Sequence, residues 1–213
     1  MGITRLSGNL GTRLRWNEVP EEINQTDSWV EPFKEIDDKL GLYSKLDLFT
    51  EDRTSRFSLF YYNNFANPSR FDGENYAWKT EFWNLSLSQQ VGGLEFLAQY
   101  MTGKTDMGPG VVKTDFHAWY GLLSYKHNSQ RASVRFDQFE VVDKDDFVFP
   151  SGNEDKNDSE GQAITIAYLY DLSETRTLAL EWVTVKSKRD GNEGFGDKDP
   201  DDDLYQIMYR FTI

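Results

Sequence analysis

The closing stretch Asp202–Ile213 constrains this chain most, because Tyr205, Ile207, Tyr209, Phe211 and Ile213 fall on every second position and Gln206, Met208, Arg210 and Thr212 on the others. A period of two is the signature of a β-strand, whose successive side chains point to opposite faces. The alternation runs unbroken to the last residue and its apolar side is largely aromatic. It therefore reads as the closing strand of a membrane β-barrel, apolar toward lipid and polar toward the lumen.

Nine further runs of strand character precede it: Ile3–Trp16, Leu42–Phe49, Arg56–Asn64, Tyr76–Gln90, Leu94–Lys104, Phe116–His127, Arg131–Val142, Gln162–Leu172 and Arg176–Arg189, with the last strand at Leu204–Ile213. Most exceed the roughly five or six residues usual in soluble sheets and match the roughly 9 to 11 needed by a tilted strand crossing a bilayer. The connections also alternate. Counted from the C-terminus they run long (Asp190–Asp203), short (Ser173–Thr175), long (Asp143–Gly161), short (Asn128–Gln130), long (Thr105–Asp115), short (Val91–Gly93), long (Phe65–Asn75), short (Thr50–Ser55) and long (Asn17–Gly41). Outer-membrane barrels have short periplasmic turns and long external loops, so this phase places every long connection outside.

Composition permits that reading. Mean hydropathy is -0.67 and no run reaches the length of a transmembrane helix, but only alternate residues of a barrel strand meet lipid, so a low average counts little against it. Cysteine is absent, which removes disulfides and thiolate metal sites. The net charge of -13 disfavours nucleic-acid binding. That charge is localised: Asn17–Gly41 carries eight acids against two lysines, Asp143–Glu160 seven against two, and Asp190–Asp203 seven against one. These sum to -17 and leave +4 for the rest of the chain. The acidic connections read first as solvated external tips; a sharper reading has the carboxylates and carbonyls of Asn153–Asp158 and Asp199–Asp203 hold Ca²⁺ or bridge divalent ions of lipopolysaccharide, although no spacing matches an EF-hand.

The strand faces name a candidate pore lining. Outward Leu42, Leu46 and Leu48 leave Lys45 and Asp47 inward; outward Leu94, Phe96, Ala98 and Tyr100 leave Glu95 and Gln99 inward; outward Ala132, Val134 and Phe136 leave Arg131, Arg135 and Asp137 inward. Likewise Leu178, Leu180 and Trp182 leave Glu181 inward, and the last strand contributes Gln206 and Arg210. Near Phe82-Trp83 the period slips from Tyr76, Trp78, Thr80, Phe82 to Trp83, Leu85, Leu87, which predicts a bulge, with Lys79 and Glu81 inward before it. Both faces of Phe116–His127 are apolar, and the sequence does not choose between them. These charges serve selectivity or pair across strands to stabilise a plugged lumen.

A set of segments in fixed order carries a family resemblance: Val30–Asp37, Phe60–Asn64 followed by Ala66-Asn67-Pro68, Tyr76–Thr80, Gly93–Tyr100 and Leu180-Glu181-Trp182. Together they resemble a family of outer-membrane porins of proteobacteria, related in style to phosphate-selective porins, over roughly Val30 to Ile213. The resemblance implies a barrel in the cell outer membrane with no assigned catalytic residue, a signal peptide and further upstream strands. Met1–Leu6 has neither the basic start nor the apolar core of a secretory signal, so the chain is expected to be the C-terminal part of a larger protein. Ile213 departs from the family's terminal Phe, which bears on the barrel-assembly signal.

The expectation is thus an all-β, antiparallel up-and-down transmembrane β-barrel, ten strands in a single domain over residues 1–213 with more in the full protein. Its function is passive diffusion of small solutes, with a mild preference for anions; it is not an enzyme and needs no cofactor or metal. Its partners are outer-membrane lipid and lipopolysaccharide, the barrel-assembly machinery through the last strand, and the solutes. The alternatives are a soluble β-barrel or sandwich with a binding cavity, and an outer-membrane barrel with a structural or hydrolase role using His117 and a serine.

Overall fold

The computed structural model describes residues 36–70, 77–148, 152, 156–189 and 201–212. These form nine strands: β1 (Leu42–Phe49), β2 (Ser55–Asn63), β3 (Lys79–Val91), β4 (Leu94–Met107), β5 (Val112–His127), β6 (Gln130–Asp143), β7 (Ser159–Ser173), β8 (Arg176–Arg189) and β9 (Asp201–Phe211). Each pairs antiparallel with its chain neighbour in one up-and-down sheet of order β1 to β9. The described residues contain no helix, so the fold is all-β. Among them β1 and β9 are each paired on one side only. The run Ile3–Trp16 lies outside the described residues.

Two strands, β1 and β8, have the expected bounds and the others shift by one to four residues. The connection expected at Thr105–Asp115 is mostly strand: β4 and β5 stay paired out to Met107 and Val112 and turn within Gly108–Val111. Glycine makes that turn possible, since Gly108 and Gly110 take φ of 69° and 73°, a left-handed conformation that costs a Cβ-bearing residue about 1 kcal/mol or more. The connections 64–78 and 144–158 remain long.

Because the ladders are continuous, residues of one parity share one face across all nine strands. One face is apolar through its middle, with Leu59, Leu85, Phe96, Leu123, Val134, Ile166, Leu180 and Ile207 on successive strands. The other is polar, and burial is inverted relative to an ordinary soluble fold. Ile166 is 46% exposed, whereas Ser124 on the polar face is 3% exposed, and among the described residues only Ala77 and Val112 are buried apolar side chains. Among the described residues no large side chain is fully enclosed and no second layer covers the apolar face.

That apolar band runs obliquely to the hydrogen-bonded rows. On β2 it is centred on Leu59, between Phe57 and Tyr61. Successive partners of Leu59 are Leu85, Tyr100, Trp119, Gln138, Gln162, Lys186 and finally Asp201. On β9 the band Tyr205–Phe211 is centred on position 208, seven residues beyond Asp201 and seven strand steps from β2. The band thus advances one residue per strand. With a rise of roughly 3.3 Å per residue and roughly 4.8 Å between strands, the strands cross the band's normal at about 35°.

Candidate functional site

The polar face holds the residues that can do chemistry or line a channel, and two clusters organise it. At the β1–β2 edge, Asp47 accepts hydrogen bonds from Arg56 Nε (3.1 Å) and Nη2 (2.9 Å) and from the Ser58 hydroxyl, with Lys45 Nζ at 3.1 Å. Lys45, Asp47, Arg56 and Ser58 meet because Asp47 lies opposite Ser58 in the ladder and Lys45 and Arg56 are the next polar-face positions on their strands. On β4–β6, Arg131 Nη1 donates to Glu95 Oε2 at 2.9 Å, and Arg135 Nε lies 2.9 Å from both oxygens of Asp137. The Arg135 guanidinium also sits 4.1 Å above the Tyr120 ring, and the Ser133 hydroxyl donates to that of Ser124 at 2.9 Å. Tyr120 faces Asp137 across β5 and β6, so charge pairing and cation–π contact share one patch.

Ten of the twelve sequence-derived positions lie on this face: Lys45, Asp47, Glu95, Gln99, Arg131, Arg135, Asp137, Glu181, Gln206 and Arg210. Lys79 and Glu81 do not. The ladders of β3 with β2 and β4 have no register shift, so the bulge expected at Phe82-Trp83 is absent and Lys79 and Glu81 share the face of Trp83, Leu85 and Leu87. Phe82 turns instead to the polar side, where its ring lies 5.7 Å from Phe60 and 5.2 Å from Tyr62. The physical reason is length: β3 outruns the apolar band, and beyond it the rule that this face must be apolar no longer applies. The register also settles β5, placing Trp119, Leu123 and Tyr125 on the apolar face and Phe116, Tyr120 and Leu122 on the polar one. A bulge does occur, between Asp171 and Ser173.

Sequence reasoning missed Arg56, Ser58, Tyr120 and Ser124. Their parity was available, but their importance comes from partners on the neighbouring strand, nine to fifteen residues away in the chain. Counting the charged residues of the polar face gives Lys45, Arg56, Lys126, Arg131, Arg135, Arg189 and Arg210 against Asp47, Glu95, Asp137, Asp143, Asp171, Glu181 and Asp202, seven of each sign. His117 lies on the other face with Nε2 3.1 Å from Glu140 Oε2.

Outside the strands, carboxylates shape the connections. Asp145 accepts from the Lys113 amide at 2.7 Å and the Phe147 amide at 3.0 Å, and partial burial together with neighbouring Asp143 raises its pKa. In the β1–β2 turn, hydrogen bonds from the Thr50 hydroxyl and the Thr54 amide and hydroxyl lower that of Asp52. Among the described residues no group of three or more His, Asp or Glu side chains is placed to hold a metal ion, and the Asn153–Asp155 and Asp199–Pro200 stretches of the candidate cation loops lie outside them. Among the described residues no helix is long and apolar enough to cross a membrane, which has no bearing on strands.

No protein-family model and no curated protein matches the chain. The resemblance to outer-membrane porins therefore rests on the ordered segments quoted above.

Proposed function

We propose that this chain is part of an outer-membrane β-barrel, lies in the cell outer membrane and lines a passage for small hydrophilic solutes. The observation that carries this reading is the apolar band, exposed on every strand and crossing the strands at about 35°, at the lower end of the roughly 35–45° tilt of closed membrane barrels. Aromatic residues mark both of its borders, as they do in the girdles of such barrels. Tyr61, Trp83, Tyr100, Trp119, Trp182 and Tyr205 stand on the side of the long connections, and Phe57, Tyr125, Tyr170 and Phe211 on the side of the short turns. Tyr and Trp suit such a border because one end of the ring is apolar and the other finds hydrogen bonds. Tyr61 does so with Glu81 at 3.1 Å, and Trp182 with Asp203 at 3.2 Å.

In this reading the polar face becomes the lumen, and its paired charges of both signs make a hydrated wall with weak charge preference. The balance of seven against seven supports polar solutes of either sign more than a distinct anion filter.

Three measurements test the proposal. The purified protein should need detergent to stay monodisperse, should migrate differently on gels before and after boiling, and should conduct ions in a planar bilayer. A monodisperse monomer in plain buffer with no bilayer conductance would favour a soluble binding barrel and sink the membrane reading.

A further inference from the structure

Resting on the passage proposed above, we infer that its polar wall at β2–β4 carries a binding track for the rings of a neutral saccharide, built from Phe60, Tyr62 and Phe82 with the side chains of Asn84, Ser86 and Gln99 beside them. The three rings form one surface: Phe82 lies 5.7 Å from Phe60 and 5.2 Å from Tyr62, tilted by 37° and 31°, and Tyr43 extends it at 6.3 Å from Phe60. On the other side Gly103 stands between Phe82 and Phe116 in the ladder, and the Phe116 ring occupies the space a Cβ there would take, beside Phe82. The middle of the apolar band is at Leu59 on β2 and advances one residue per strand, so Phe60 stands one residue, Phe82 four and Phe116 six past it toward the long connections. With a rise of roughly 3.3 Å per residue and the tilt above, the track climbs from about 3 to about 16 Å beyond the middle of the band.

These rings face away from the apolar band, so lipid does not account for them, and among the described residues no core does either. Their surroundings choose the ligand. Every polar-face position of β3, from Thr80 to Gln90, is uncharged, whereas β6 carries Arg131, Arg135 and Asp137 on the same face. Asn84 lies opposite Phe60 and Ser86 opposite Gln99, and among the described residues these three polar side chains are hydrogen-bonded to no other residue. The charge opposite a ring is Lys45, across from Phe60; Asp47 holds it at 3.1 Å and Arg56 at 2.9 Å, which leaves a net charge of +1. Ring faces repel an anion, and a cation drawn to them meets Lys45 and Arg56. A purely apolar solute would cover the rings and leave the amides and hydroxyl unpaired. A neutral pyranose fits both features, since its C–H face lies on a ring while its rim of hydroxyls meets Asn84, Ser86 and Gln99.

The test uses the full chain folded in lauryldimethylamine oxide, whose headgroup carries no sugar, with boiling-dependent gel migration confirming the fold before each titration. Calorimetric titrations compare maltotriose, sorbitol as a polyol without a ring, and trigalacturonate as a charged trisaccharide. The wild-type protein should bind maltotriose saturably and at least about tenfold more tightly than sorbitol, which has no ring faces to stack. Trigalacturonate should bind more weakly than maltotriose, because its carboxylates lose hydration with only paired cations to meet them. Phe60→Leu with Phe82→Leu keeps apolar volume but removes two flat faces, and should weaken maltotriose about fivefold or more, each ring contact contributing roughly two- to tenfold. Phe82→Tyr keeps the face and should bind maltotriose like the wild type. No saturable maltotriose binding by the folded wild type, equal binding of sorbitol, equal or tighter binding of trigalacturonate, or undiminished binding by the folded double-leucine variant each overturns the inference and leaves the passage reading standing. The wild-type comparison decides even where a variant does not fold. A wild-type protein that is monodisperse without detergent removes the passage reading itself, and the inference with it.

Discussion

The two faces of this sheet are made from the same nine strands, residue by residue in turn, and they solve opposite problems. On the apolar face Ile166 is left open to the surroundings with Trp182 and Val134 as its ladder partners. One residue on, Ala167 lies between Ser133 and Glu181 on a face where serines and threonines are the buried groups. A soluble sheet packs its apolar face and wets the other; here neither a core nor a covering layer accounts for the apolar one among the described residues. The contrast teaches that a sheet's solvent can be read from which of its two residue sets is left uncovered.

The sharpest way to break this comparison is to put one substitution on each face at neighbouring positions. Ile166→Arg places a charge in the middle of the apolar band and should lower unfolding stability in a lipid or micelle by roughly 2 to 4 kcal/mol. Ala167→Arg faces Glu181 and should change it by less than about 1 kcal/mol. Urea titrations read by gel mobility give both numbers, and equal losses would mean that the faces are not in different solvents.

Two glycines sharpen the same contrast. A Cβ added at Gly103, on the polar face, would meet the Glu81 carbonyl oxygen, Phe82 Cβ at 2.5 Å and Phe116 Cζ at 2.7 Å, whereas at Gly121, on the apolar face, nothing lies within 4 Å. Gly103→Ala should therefore cost about 1 to 3 kcal/mol through overpacking. Gly121→Ala should be neutral or gain up to about 1 kcal/mol from the less flexible unfolded chain. A destabilised Gly121→Ala would show that the apolar face is tightly covered after all.

A smaller effect is expected from the polar face's own ion pairs. Glu95 and Arg131 keep more than a third of their side-chain surface exposed. In a double-mutant cycle with Glu95→Gln and Arg131→Met, their coupling should lie at about 0 to 1 kcal/mol. A much larger coupling would mean a lumen drier than a water-filled passage.

The smallest effect concerns a turn outside both faces. Asp52 has its pKa lowered by Thr50 and Thr54, so the stabilisation it gives the β1–β2 turn is fully present above the ordinary carboxylate range and is lost as pH falls through the lowered value, below roughly pH 4. Hydrogen exchange at the Thr54 amide should be slower in the wild type than in Asp52→Ala at neutral pH and similar in both in acid. Indistinguishable rates at pH 7 would show that the carboxylate does not hold the turn.

Much of the architecture was legible in the sequence because alternation is a local property. It placed β1 and β8 to the residue, and it put Glu95, Arg131, Arg135, Asp137 and Glu181 on one face of their strands. It failed where strands outrun the apolar band: at Lys79 and Glu81, where aromatic Tyr76, Trp78 and Phe82 suggested the opposite parity, and at Thr105–Asp115, whose polar residues resemble a loop but continue a ladder. It could not pair Asp47 with Arg56 and Ser58, or bring Tyr120 under Arg135. Those facts depend on register, a relation between two strands that neither strand contains. The advance of the apolar band by one residue per strand, and so the tilt, exists only once all nine registers are fixed together; the sequence determined which side of each strand shuns water, and the ladder decided how those sides line up.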